Sequence, residues 1–109
     1  MAEAAFDLEK VNVTNNQDAH RFEAQVAGQT ALLSYRRSDG QIALVHTEVP
    51  APLQKRGLAA KLVQSALEFA RASDLAVVPI CPYVAAYLRK HAEYKELVRP
   101  NDWERYVAK

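Results

Sequence analysis

The residues best suited to chemistry lie in the run Gln54-Lys55-Arg56-Gly57-Leu58-Ala59-Ala60. Pro50-Ala51-Pro52 precedes it, and an apolar pattern of helical spacing follows, so the run reads as a turn into a helix. A helix start has unpaired amide hydrogens and the positive end of the helix dipole, both of which attract phosphate. Gly57 lets a ligand approach the backbone closely, and Leu58, Ala59 and Ala60 carry no polar group that would compete for the amides. Lys55, Arg56 and Lys61 add positive charge. The same run would also serve as an ordinary solvated first turn. It is neither a Walker A loop nor a dinucleotide fingerprint, because it lacks GxxxxGK[ST] and GxGxxG.

Two further groups stand out. Cys81 precedes Pro82, and proline favours the first helical position, so the thiol is expected at a helix start, where the dipole favours thiolate. Lone cysteines also serve as small buried hydrophobes. His46 and Glu48 are two residues apart in a strand-like run, about 7 Å along one face. An imidazole or a carboxylate there can accept a proton, directly or through water. A structural histidine and a solvated glutamate are the plainer alternatives.

The elements that must position these groups follow from periodicity. Arg21 to Ala27 alternates, with Phe22, Ala24 and Val26 on one face. Thr30 to Arg36 forms a second strand, and Ser38-Asp39-Gly40 signals a hairpin into a third, Gln41 to Val49. Along that third strand Ile42, Leu44, His46 and Glu48 are expected on one face, and Ala43, Val45, Thr47 and Val49 on the other. Val11 to Thr14 adds a weaker first strand. A helix is predicted from about Gln54 to Ser73-Asp74, with no glycine to cap its end. Leu75 to Cys81 reads as a buried parallel strand, and a second helix runs from Pro82 to about Lys90. A short amphipathic piece follows around Trp103 and Tyr106. The fold class is α+β: an antiparallel meander feeding one βαβ crossover, then a second helix.

Composition bounds the rest. A chain of 109 residues, half of them hydrophobic, is read as a single domain over 1–109. Fourteen basic and thirteen acidic residues leave a charge of +1, which argues against a nucleic-acid partner. One cysteine allows no internal disulfide and points to a reducing compartment. The stretch with Glu3, Asp7, Glu9 and Lys10 has no apolar signal core, and no apolar run reaches the roughly 20 residues of a membrane span. The expectation is a cytoplasmic protein without a membrane partner.

Taken together, HTEVP, QKRGLA, the strand with Pro79, and CPYVAAY resemble the small single-domain branch of the GNAT (GCN5-related) N-acetyltransferases. The likeness covers roughly residues 20 to 98. Gln54, Gly57 and Ala59 match that family's Q/R-x-x-G-x-G/A signature. The resemblance implies a minimal GNAT fold whose central strands splay apart, with Pro50 and Pro79 removing ladder donors at the splay. It implies acetyl-CoA as co-substrate, with its pyrophosphate on Gln54 to Ala60 and its pantetheine against the backbone around Glu48 and Val49. No metal is implied. It further implies transfer of an acetyl group to an amine, with His46 or Glu48 as base, and leaves Cys81 as a nucleophile or a cofactor contact.

The sequence departs from larger relatives in two places. The helices they insert between their first two strands are reduced here to about Asn15 to His20, so the acceptor groove is expected to be open or completed by another chain. The position of their acidic tyrosine falls near Leu88, with Tyr87 and Tyr83 nearby as packing or cofactor contacts. An alternative reading is therefore a CoA-binding module with little or no turnover. A protein-interaction domain without cofactor is disfavoured by the basic loop. The acceptor and the oligomeric state have no signature in the sequence.

Overall fold

The computed structural model describes residues 6–108, so Glu3 of the acidic N-terminal stretch lies outside the described residues. A five-stranded sheet has the order β1-β2-β3-β4-β5, with β1 Val13–Asn16, β2 Arg21–Val26, β3 Gln29–Ser38, β4 Gln41–Glu48 and β5 Ala76–Pro79. The first four strands form an antiparallel meander, and β5 pairs parallel to β4. Helix α1 (Leu58–Ala72) makes the crossover between β4 and β5, and α2 (Pro82–Lys90) follows β5. A 3₁₀ turn, Ala92–Leu97, and the helical turns Pro100–Asp102 and Trp103–Val107 complete the chain. The architecture is the α+β arrangement expected from the sequence.

The alternation in β2 and β3 puts Phe22, Ala24, Val26, Ala31, Leu33 and Tyr35 on one sheet face, all buried. Against that face α1 lays Leu58, Leu62, Val63, Ala66, Leu67 and Ala70, a stripe at three- and four-residue spacing. Val84, Ala85 and Leu88 of α2 join the same cluster. Each fully buried leucine in such a stripe contributes about 1.5–3 kcal/mol of transfer free energy. The opposite face carries Glu23, Gln25, Thr30, Ser34 and Arg36 and is only partly covered.

The end of α1 needs no glycine. Asp74 takes the left-handed conformation, φ +57°, while the amide of Leu75 reaches Ala70 O at 2.9 Å and that of Asp74 reaches Arg71 O at 3.3 Å. This is a Schellman closure, locked by the buried Leu75 side chain. At the β3–β4 hairpin only Gly40 has positive φ, so the Asp39-Gly40 turn uses one left-handed residue.

The start of α1 differs from the sequence expectation. The helix begins at Leu58, not near Gln54, because Lys55 (φ +64°) and Gly57 (φ +87°) are both left-handed and break the helical path. Ala51–Leu53 forms a separate 3₁₀ turn, pinned by the fully buried Leu53.

Candidate active site

The site is built where β4 and β5 part. Their ladder runs from Gln41↔Ala76 to Leu44↔Pro79 and closes on one last bond, in which the amide of Cys81 donates to Leu44 O at 2.9 Å. Pro79 has no amide hydrogen to give, and the amide of Ile80 turns back to Val78 O at 3.0 Å. β4 continues against β3 as far as Leu32↔Glu48. From Val45 onward β4 therefore has a neighbour on the β3 side while β5 has ended, which opens a slot between the two strands.

The register also corrects the expected faces of β4. Ser34 pairs with His46 but Tyr35 pairs with Leu44, so Val45 is an extra, bulged residue. A bulge adds one residue and shifts the alternation by one. Ile42 and Leu44 face the core with Tyr35, but beyond the bulge it is Thr47 that shares the core face, opposite Leu33. His46 and Glu48 do share a face with each other, as expected, but not with Ile42 and Leu44. They lie on the open side with Ser34 and Leu32. Their Nε2 and Oε2 atoms are 3.2 Å apart, and their side chains are 59% and 66% exposed.

On the core side of the slot, Thr47 Oγ1 lies 3.5 Å from Cys81 Sγ. Cys81 is the residue immediately before α2, as the sequence predicts, and it is 4% exposed. Its φ of −64° and ψ of 125° are extended, so the chain enters the helix at Pro82. Thr47 was not singled out in the sequence, because simple alternation directs it away from the core.

Below the slot is the loop that leads into α1. Its entry is fixed by the Gln54 amide, whose Nε2 donates to Val49 O at 2.9 Å. The first helical bond runs from the amide of Lys61 to Gly57 O at 3.0 Å. A pocket of about 260 Å³ is lined by Val49, Leu53, Gln54, Lys55, Gly57, Leu58, Ala59 and Tyr83. It gathers six of the eight residues read as contacting a phosphate-bearing cofactor. Ala60 lines an adjoining recess of about 340 Å³ with Gly57, Lys61, Gln64 and Tyr87, and Leu8 and Glu9 close that recess. Arg56 lies with its guanidinium 5.5 Å over the Phe6 ring.

Tyr83 is the exposed large hydrophobic side chain of the pocket, at 42%. Burial of part of its ring pushes its phenol pKa up, and the neighbouring Cys81 adds to the rise. Tyr87 stacks on His91 with ring centroids 4.0 Å apart, and burial raises its phenol too, helped by Glu93. Leu88 is fully buried.

A parallel β4–β5 pair that ends at Pro79 and an α1 entered through a left-handed Gly57 form the α+β frame that the family resemblance implies. The sequence profile described as GCN5-related N-acetyl-transferase matches residues 21–97, and the chain belongs to that family. It is similar to Protein NATD1 of Mus musculus, 30% identical over 95 residues that cover 83% of this chain and 86% of the relative. Protein NATD1 of Gallus gallus is similar to the same extent, 30% over 95 residues.

Proposed function

We propose that the chain is an N-acetyltransferase that moves an acetyl group from acetyl-CoA to an amine. The observation that carries this reading is the slot between β4 and β5 opening onto the Gly57 pocket. The residues suit the co-substrate. Gly57 is left-handed and bare, the first turn of α1 offers its free amides, and Lys55 is exposed beside them. Amides near Gly57 to Ala60 would hold the pyrophosphate, and the free edge of β4 toward Val49 would hold the pantetheine. Acetyl-CoA supplies the activated thioester carbonyl.

The chain's own part is proton handling and orientation. The His46–Glu48 pair accepts a proton from the acceptor ammonium, with the Glu48 carboxylate fixing the imidazole. As the new N–C bond forms, the thioester C–S bond breaks and the sulfur takes up a proton. Tyr83, which lines the Gly57 pocket together with Val49, is the phenol proposed to give one. Cys81 offers the other route, in which its sulfur accepts the acetyl group first and passes it to the amine. Its 4% exposure supports the direct route.

A second reading has its own support. The acidic tyrosine of larger relatives falls near Leu88, which is apolar and buried, and this suits a module that binds CoA with little turnover. Thiol release from acetyl-CoA across a panel of amines separates the two. Acceptor-dependent release that falls sharply in His46→Gln or Glu48→Gln supports the enzyme, whereas tight CoA binding without release leaves the binding module.

A further inference from the structure

We propose that the segment Phe6–Lys10 is a strap that closes the phosphate loop in the cofactor-free protein and yields to the cofactor. The proposal rests on the acetyl-CoA reading above and adds a gate to it. Three contacts fall on three residues of the loop and first turn. Leu8 Cδ2 lies 3.0 Å from where a Cβ on Gly57 would stand, so the leucine side chain fills the space that the bare glycine leaves. The Lys61 ammonium donates to Leu8 O at 2.6 Å. Arg56 lies over the Phe6 ring. A phosphate reaching the Gly57 backbone would have to move Leu8 and compete with a carbonyl for Lys61.

The strap is folded locally. Leu8–Lys10 is a 3₁₀ turn capped by Asp7, whose carboxylate accepts from the Glu9 amide at 3.1 Å. Its contacts with Gly57, Lys61 and Arg56 support that turn, so its own amides open to solvent when the strap lifts. No residue of that turn is fully buried, and Phe6 and Leu8 are only partly buried against the core. Glu9 lines the recess beside Lys61, where its carboxylate opposes an incoming phosphate until the strap departs.

A strap closed in about nine molecules of ten weakens apparent affinity about tenfold, because only the open fraction is competent to bind. The test uses the full chain and coenzyme A. Phe6→Ala/Leu8→Ala should tighten binding by up to about tenfold, mostly through a faster on-rate. In the unsubstituted protein, saturating CoA should speed hydrogen exchange at the amides of Lys10 and Val11, which bond to Asp7 O at 2.9 Å and Leu8 O at 3.2 Å. Unchanged or weaker binding by a folded double variant overturns the strap and leaves the cofactor reading intact. Slower exchange at those amides on adding CoA overturns it too, since the segment would then clamp the cofactor. If neither protein binds CoA, the cofactor reading itself falls, and the strap with it.

Discussion

Replacing Gly57 by valine tests the loop most directly, and the structure divides its effect into two parts. The first is strain. Gly57 has φ +87°, ψ 4°, a conformation in which a β-branched residue is a genuine outlier. Forcing it costs about 1–3 kcal/mol. The added Cβ also meets Leu8 Cδ2 at 3.0 Å, but that atom ends a half-buried side chain and can give way. In a domain of this size each kcal/mol lowers the melting temperature by about 4–8 °C. The second part is binding. A branched side chain over the helix start screens the amides meant for the pyrophosphate, and hydrogen bonds to a charged group contribute about 1.5–3 kcal/mol each. Losing even one weakens CoA by roughly ten- to a hundredfold. Urea unfolding measures the first part, and CoA titration under conditions where the variant is fully folded measures the second. Leu8→Ala/Gly57→Val should recover only the contact part of the stability loss, leaving the φ strain and the binding defect. A Gly57→Val protein as stable as its parent and with the parent's CoA affinity would refute the loop assignment.

Three more expectations follow from named residues. Lys55→Ala/Arg56→Ala should weaken CoA and flatten its salt dependence, because exposed charges are screened within about 8 Å at physiological ionic strength; a parental affinity and salt slope would remove both from the site. Cys81 should alkylate slowly in the folded protein, because it is 4% exposed. Incubation with acetyl-CoA followed by mass measurement checks its covalent role, and a Cys81→Ala protein with full transfer activity leaves His46 and Glu48 as the route. Asp74→Gly should raise stability by about 0.5–1 kcal/mol by relieving the left-handed residue at the end of α1; a lower urea midpoint would mean that the aspartate side chain contributes more than its backbone costs.

Much of this architecture was legible because it is written in local periodicity. The stripe from Leu58 to Ala70, the alternation in β2 and the proline that opens α2 each state their element within a dozen residues. The exceptions are set by distant partners. The position of Val45 as a bulge exists only in how β4 pairs with β3, and nothing in the string Leu44-Val45-His46 marks it. The hydrogen bond from Lys61 to Leu8 spans 53 positions, and Leu8 carries no sign of it. The delayed start of α1 depends on Lys55 being left-handed, which its residue type does not announce.

The bulge does more than correct a face. Without it, the alternation of β4 would bury His46 and Glu48 under the helices and turn Thr47 outward. With it, the ionisable pair stands on the open side of the sheet, and Thr47 meets Cys81 on the helix side. The slot left by Pro79 lies between these two sides. In the proposed reaction, a carbonyl held in that slot would be approached by the amine from the open face, where His46 and Glu48 stand. The bulge thus puts the ionisable pair and the Thr47–Cys81 contact on opposite sides of the sheet, at the point where β4 and β5 have stopped pairing. Deleting Val45 should remove the bulge yet keep His46 and Glu48 on the open face, because strict alternation from Leu44 then points His46 outward. A folded Val45 deletion in which His46 becomes shielded from diethyl pyrocarbonate would refute this register.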